Sequence, residues 1–273
     1  MNSITRKIVS LALVLMLTLS MIPASVFAAN NDVAVKSASV ATKAATTTNI
    51  QDAVTLHCWN WSFNNIKANM AAIAEAGYTA IQTSPIQPLK ESTVNGVVSG
   101  QWWAYYQPTE FKINTNSNNA LGTKTQFEAM CAEADKYGIK VIVDVVANHL
   151  ADNGANKKSP AIPSYLKDNS AYWHDISKNT VDYNNRYDIT QFCMAGLPDL
   201  NTSNKDIQNY VLSFLKECMA AGADGFRFDA AKHIEVPEDA YCGSDFWPTV
   251  INGASQYASS TRGIYLYNYG ELL

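Results

Sequence analysis

The residues best suited to do chemistry lie within positions 226–233. An apolar strand pattern ends there on Asp229, with Arg227 two residues before it and Lys232 and His233 shortly after it. A carboxylate at the end of a buried strand is costly to desolvate, and nearby cations would hold it ionised. The stretch predicts either a structural ion pair or a catalytic carboxylate, and its place at the carboxyl end of a strand favours catalysis.

The elements that must position this carboxylate alternate between strand and helix. Apolar strand patterns cover residues 54–59, 78–83, 139–146, 226–228 and 264–270. Between them lie amphipathic segments, with Ser62 and Asn204 as N-caps and a capping box at Thr125 and Glu128. The alternation predicts an α/β protein, either doubly wound or a barrel. Polar residues follow successive strands, as they do at the active-site rim of a (β/α)8 TIM barrel. This pattern favours the barrel over the doubly wound sheet. Only about five strands can be counted, so we expect a barrel truncated after about the fifth strand, with an irregular inserted domain after the third.

Four motifs carry a resemblance to a known family. They are Gly225-Phe-Arg-Phe-Asp-Ala-Ala-Lys-His233, Asp144-Val-Val-Ala-Asn-His149, Tyr269-Gly-Glu-Leu-Leu273 and Gly196-Leu-Pro-Asp-Leu200. The residue types in these motifs, and the order of the motifs along the chain, resemble those of the signature regions of the α-amylase family of glycoside hydrolases. The resemblance implies that Asp229 is the nucleophile and Glu271 the general acid/base. Retaining glycoside hydrolysis needs two such carboxyl groups about 5–5.5 Å apart.

The resemblance also implies a set of substrate-binding residues. Asp144 resembles the family's structural aspartate near the nucleophile, and the segment Trp102-Trp103-Ala-Tyr-Tyr-Gln-Pro108 resembles its aromatic platform. Aromatic faces bind the apolar face of a sugar ring without any charge, although Trp102 also suits core packing. The implied substrate contacts are Trp103, Tyr106, Gln107, His149, Arg227, Lys232 and His233.

A calcium ion is implied by the same resemblance. Its ligands would be Asn148, Asp199 and the backbone carbonyl of His233, and oxygen donors of these types suit Ca²⁺. The ion would tie the inserted segment to the barrel. The five cysteines form no C-x-x-C pair, so a zinc site is not expected, and a disulfide involving Cys193 or Cys242 is left open.

The two ends of the chain shape the expected domain organisation. Arg6 and Lys7 precede an apolar run and small residues near Ala28, as in a secretory signal peptide. We expect a signal peptide at 1–28, a flexible lead-in at 29–49, the catalytic barrel at 50–149 and 202–273, and a calcium-linked insert at 150–201. The expected location is therefore extracellular. Residues 29–273 alone are expected to be inactive and poorly soluble, because exposed sheet edges promote association.

The expected activity is endo-hydrolysis of α-1,4-glucosidic bonds in starch, maltooligosaccharides and related α-glucans. The alternatives are a transglycosylase or α-glucosidase of the same family, or a glycan-binding relative without activity. A net charge of −4 with 11% aromatic residues suits a neutral, hydroxyl-rich ligand. No nucleic-acid or membrane partner is expected, and the full-length protein is expected to be a monomer.

Overall fold

The computed structural model describes residues 50–90 and 101–272, together with the backbone of residues 93–94 and 97–98. The predicted signal peptide and lead-in lie outside these residues and stay predictions. Within the described ranges, no helix has both the length and the hydropathy needed to cross a bilayer.

A five-stranded parallel sheet forms the centre of the fold. The strands of the chain are β1 (Thr55–Cys58), β2 (Ala80–Thr83), β3 (Thr93–Val94), β4 (Val97–Val98), β5 (Lys140–Val146), β6 (Asp175–Asn179), β7 (Phe192–Cys193), β8 (Gly225–Asp229) and β9 (Tyr267–Gly270). The central sheet has the order β1-β2-β5-β8-β9, and all its pairs are parallel. The order of the strands across this sheet is the same as their order along the chain. A doubly wound sheet would reverse that order at a switch point, so the described strands favour the barrel alternative.

Helices connect these strands and cover the sheet. They are α1 (Phe63–Ala68), α2 (Met70–Glu75), α3 (Trp102–Tyr105), α4 (Lys124–Lys136), α5 (Ser164–Lys167), α6 (Arg186–Gln191), α7 (Lys205–Ala220) and α8 (Phe246–Arg262). The long helices α4, α7 and α8 bury Phe127, Phe214 and Val250 in one hydrophobic core with the sheet. The predicted inward faces of Cys131 and Cys218 are confirmed, since both are buried, and all five cysteines are free thiols.

The N-termini of helices α1, α4 and α7 show which of the predicted caps are correct. Ser62 and Asn204 are N-caps as predicted, because their side chains accept from the backbone N–H groups of Asn65 and Asp206. The capping box predicted at Thr125 is wrong. Helix α4 begins at Lys124, and its box is formed by Thr123 and Gln126, whose Oε1 accepts from the Thr123 N–H at 2.8 Å. The pairs Thr123–Gln126 and Thr125–Glu128 have the same spacing. The first is used because the helix begins at Lys124, whose N–H donates to the Asn114 carbonyl of the preceding loop at 2.7 Å.

The segment between β5 and α7 contains the small elements α5, β6, α6 and β7. Strands β6 and β7 pair with each other outside the central sheet. The segment returns to the end of β5, where the Leu200 N–H donates to the Asn148 carbonyl at 2.9 Å. This arrangement brings residues distant in sequence to the carboxyl edge of the central sheet.

Candidate active site

One guanidinium group joins the carboxylates at the ends of three neighbouring strands. Arg227 donates from Nη1 to both oxygens of Asp144 at 2.8 Å and to Oδ1 of Asp229 at 3.0 Å. Its Nη2 lies 2.7 Å from Oε1 of Glu271. Asp144 lies on β5, Asp229 ends β8 and Glu271 follows β9. Parallel pairing of these strands therefore brings the three carboxylates to one edge of the sheet.

Glu271 is also held from the backbone beside Asp229. The Ala230 N–H donates to Glu271 Oε2 at 3.1 Å, and Ala230 adopts a left-handed conformation with φ of 49°. Such a conformation is uncommon for a residue other than glycine. The Glu271 N–H in turn donates to the Phe228 carbonyl at 2.9 Å. These contacts position both carboxyl groups before any substrate binds.

Burial has the largest effect on the ionisation of these acids. Asp144 is fully buried, and burial raises its pKa to about 6 although Arg227 acts in the opposite direction. For Asp229, burial and then the charge of Asp144 raise the pKa to about 8, against the opposing effect of Arg227. One cation therefore faces three carboxyl groups. We expect the site without substrate to retain a proton near neutral pH.

The strand ends open into a cleft of about 370 Å³. Five residues predicted to act on the substrate line it: Tyr106, His149, Arg227, Asp229 and Glu271. Trp103, Gln107, Lys232 and His233 are not among the described residues that line this cleft. The geometry brings the two predicted catalytic carboxyl groups together, while four predicted substrate contacts lie elsewhere.

His149 presents a free acceptor atom at the cleft. Its Nε2 lies 3.0 Å from the Tyr106 carbonyl, and a carbonyl can only accept, so Nε2 carries the hydrogen of a neutral ring. Burial lowers the pKa of His149 to about 4. Its Nδ1 is buried and has no hydrogen-bond partner among the described residues. A buried, unpaired nitrogen in a cleft is suited to accept from a hydroxyl group of a ligand.

The aromatic segment before Pro108 divides between the cleft and its surroundings. The Tyr106 hydroxyl donates to Asp144 Oδ2 at 3.0 Å, which places this ring beside the carboxylates. Trp102 is 52% exposed and lines the cleft, so it is not a residue of the buried core. Trp103 is 37% exposed and is not part of the cleft lining. The Oε1 atom of Gln107 is buried and has no hydrogen-bond partner among the described residues. Sugar contacts from Trp103 and Gln107 stay predictions.

Lys232 and His233 lie in the 3₁₀ turn that follows β8. Lys232 lines a second, mainly apolar cavity of about 480 Å³, and its ammonium group lies 5.8 Å from the ring centre of Tyr183. The His233 ring is buried, with Nδ1 2.7 Å from the Ile189 carbonyl. Their predicted contacts with substrate stay predictions.

Two of the three predicted calcium ligands, Asn148 and Asp199, meet in a buried polar cluster. Asn148 Nδ2 donates to Asp199 Oδ1 at 2.8 Å, and His174 Nδ1 lies 2.7 Å from Asp199 Oδ2. His174 Nε2 lies 3.1 Å from Glu235, two residues beyond His233. Burial raises the pKa of Asp199 to about 7. Burial alone would lower the pKa of His174, but hydrogen bonds to the two carboxylates raise it to about 9.

This cluster has the donor types that a hard cation requires. Asn148 and Asp199 supply amide and carboxylate oxygens, which are donor types that suit Ca²⁺. No group of three or more histidine, cysteine or acidic side chains suited to a metal is present in the described part of the chain. A calcium site here would therefore depend on backbone and amide oxygens as well as Asp199.

Four residues of the described cleft lining were not expected from the sequence, namely His57, Trp59, Met194 and Leu197. His57 and Trp59 lie at the carboxyl end of β1, where the barrel rule places functional residues. That rule could have identified them, whereas Met194 and Leu197 come from the irregular segment and carry no comparable signal.

Comparison with known proteins decides the family. The model of the alpha-amylase catalytic domain matches residues 62–257. The chain belongs to the α-amylase family. The matched range contains Asp144, Arg227 and Asp229, and the catalytic domain of this family implies a TIM barrel, in agreement with the order of the described strands.

Two curated relatives share substantial identity with this family member. The alpha-amylase of Clostridium acetobutylicum is 42% identical over 82% of the chain, and that of Butyrivibrio fibrisolvens is 39% identical over 82%. The chain spans 28% and 24% of the lengths of these relatives.

A solved structure shows the same fold. Alpha-amylase I from Eisenia fetida superposes with a TM-score of 0.64 at 22% identity, covering 81% of this chain and 45% of that one. A variant of the Eisenia enzyme was solved in complex with maltohexaose.

Proposed function

We propose that the protein hydrolyses α-1,4-glucosidic bonds in starch and related glucans with retention of configuration. The observation that carries the proposal is that Arg227 holds Asp229 and Glu271 at the wall of one open cleft. Asp229 attacks the anomeric carbon and forms a new C–O bond as the glycosidic C–O bond breaks. Glu271 gives its proton to the leaving oxygen. It then takes a proton from water, whose oxygen displaces the carboxylate of Asp229.

This mechanism requires one proton on the catalytic pair. Glu271 must carry it, and Asp229 must be ionised when it attacks. Burial and the charge of Asp144 raise the pKa of Asp229, so the cleft binds a proton readily near neutral pH. In the reactive state the proton resides on Glu271, and Arg227 stabilises the charge left on Asp229.

The substrate class follows from the cleft and the relatives. Trp102 and Tyr106 offer aromatic faces beside the carboxylates, and neutral His149 offers an acceptor for a hydroxyl group. The curated relatives are named alpha-amylases, and the Eisenia variant holds maltohexaose. Starch and maltooligosaccharides are therefore the proposed substrates. The proposed acting form is a monomer, with neither nucleic acid nor membrane as a partner.

The stereochemistry and products of the reaction test this function. A full-length protein that carries this sequence is incubated with maltoheptaose, and the anomeric protons are followed by NMR. We expect the α-anomer to appear first, and short oligosaccharides to arise from internal cuts in soluble starch. Initial release of the β-anomer would contradict the mechanism. Cyclic products or glucose alone would instead indicate a transglycosylase or an α-glucosidase of the same family.

We further propose that Ca²⁺ binds Asn148, Asp199 and the backbone carbonyl of His233. The ion would supply positive charge that links the segment between β5 and α7 to the turn after β8. We expect millimolar CaCl₂ to raise the Tm of the protein by about 3–6 °C over the value in EGTA. Asp199→Ala should remove this increase in Tm. The control Asp135→Asn, on an exposed helix surface, should retain it. An unchanged increment in Asp199→Ala would reject Asp199 as a ligand.

The domain organisation completes the proposal. Residues 1–28 would direct export, 29–49 would form a lead-in to the barrel (50–149 and 202–273), and 150–201 would form the calcium-linked insert. N-terminal sequencing of the protein recovered from culture medium should begin at Ala29. Recovery only from cells, with Met1 retained, would contradict secretion.

A further inference from the structure

Trp59 is a large aromatic residue that the proposed mechanism does not use. It lies directly after β1, is 45% exposed and lines the same cleft as Asp229 and Glu271. It lies outside the four signature motifs and the aromatic segment before Pro108. An indole ring exposed at the wall of this cleft leaves a large apolar surface in contact with water, which a ligand could cover.

Trp59 continues an aromatic surface that leads to the carboxylates. Its ring centre is 5.8 Å from that of Trp102, and the Trp102 ring centre is 6.3 Å from that of Tyr106. The Tyr106 hydroxyl binds Asp144, which shares Arg227 with Asp229. Tyr106, Trp102 and Trp59 therefore form one continuous aromatic surface on the wall of the cleft that also contains Asp229 and Glu271.

The turn after β1 holds Trp59 in place. The next residue, Asn60, adopts a left-handed conformation with φ of 64°, and its N–H donates to Ser84 Oγ at 2.8 Å. Asparagine tolerates this conformation better than most residues. The Trp61 N–H donates to the carbonyl of Cys58 at 3.1 Å, and Cys58 is buried in the core. These contacts hold the backbone on both sides of Trp59, which limits the conformational entropy lost when a ligand stacks on its ring.

The angle between the two indole rings carries information about the shape of the ligand. The planes of Trp59 and Trp102 are inclined by 48° to each other. Consecutive glucose rings turn relative to one another in an α-1,4-linked chain, which coils, whereas a β-1,4-linked chain is a flat ribbon. Two inclined platforms can contact successive rings of a coiled chain, but a flat ribbon can lie on only one of them.

The geometry points to Trp59 as a sugar-binding residue that forms, with Trp102, a further glucosyl subsite selective for the coiled α-1,4 chain. This inference rests on the proposed function and adds a residue and a shape criterion to it. The subsite binds a glucose unit remote from the cleaved bond. It therefore contributes to the binding of long chains and much less to that of short ones.

Binding without turnover tests the subsite directly. In an Asp229→Asn background, so that the ligand is not cleaved, the Kd for maltoheptaose is measured by titration calorimetry. We expect Trp59→Ala to weaken binding about tenfold, equivalent to about 1.4 kcal/mol. Trp59→Phe should stay within about threefold of the parent, because it keeps an aromatic face. Tyr137→Ala, at an aromatic residue 43% exposed, is the matched control and should bind as the parent does.

Two ligands of different length and linkage complete the experiment. Trp59→Ala should leave the Kd for maltotriose within about twofold, and cellohexaose should bind the parent much more weakly than maltoheptaose. Equal affinity of Trp59→Ala and the parent for maltoheptaose would overturn the subsite while leaving the proposed function intact. A parent that binds no maltooligosaccharide would overturn the proposed function itself, and the subsite with it. Circular dichroism spectra that match the parent establish that each variant is folded.

Discussion

Asp229→Asn is expected to lower the rate of starch hydrolysis by about 10⁴-fold or more in a full-length protein that carries this sequence. The amide keeps the size of the side chain but is a very poor nucleophile towards the anomeric carbon. Reducing-end release from soluble starch measures the loss. Asp135→Asn makes the same chemical change on an exposed part of helix α4 and should retain the parent rate.

A second variant separates a nucleophilic role from a purely electrostatic one. In Asp229→Gly, added azide can attack the anomeric carbon of a maltoside with a good leaving group. The glycosidic bond breaks as the C–N bond forms, and the product is a β-glycosyl azide. An electrostatic role for Asp229 would give no such product. Near-parent hydrolysis by Asp229→Asn would remove Asp229 from the mechanism.

The same substitution is expected to stabilise the fold at alkaline pH. The pKa of Asp229 is about 8 in the folded chain, against 3.8 for an unperturbed aspartate. Between these pH values the folded chain binds the proton more tightly than the unfolded chain does. The free energy of unfolding therefore falls as the pH rises through this window. An amide does not ionise, so Asp229→Asn escapes this loss.

We expect the free energy of unfolding of Asp229→Asn to exceed that of the parent at about pH 8, because the amide carries no buried charge there. Near pH 4 the two proteins should be nearly equal. Urea unfolding at both pH values measures the difference, with Asp135→Asn as the control. A loss at pH 8 would show that Arg227 compensates the charge of Asp229, and a gain of equal size at both pH values would show that the gain does not come from ionisation.

Together these two results would describe a site that gives up stability for reactivity. Arg227 is one cation among three carboxyl groups, and the burial of Asp144 and Asp229 is not fully offset by it. Residues placed for chemistry are commonly a source of strain or electrostatic cost in the resting fold. The loss of activity and the gain of stability in one variant would be the expected signature.

The sequence predicted the strands well because their signal is local. The run of valine and isoleucine in β5 is typical of a strand covered on both faces, and the structure buries it there. Ser62 and Asn204 were identified as caps because an N-cap acts on amides within its own first turn. The capping box of α4 was misplaced because Thr123 and Thr125 offer the same pattern. Only a contact from Asn114 decides between them.

The sequence by itself determined which acids end which strands, because the alternation of strand and helix fixes the edge at which Asp144, Asp229 and Glu271 emerge. Only the tertiary structure decided which aromatic rings face those acids. Trp102 lines the cleft where Trp103 was expected, and Trp59 joins it from β1. The physical reason is that adjacent side chains in a loop differ in direction through backbone angles and packing against distant residues. No local pattern records those contacts.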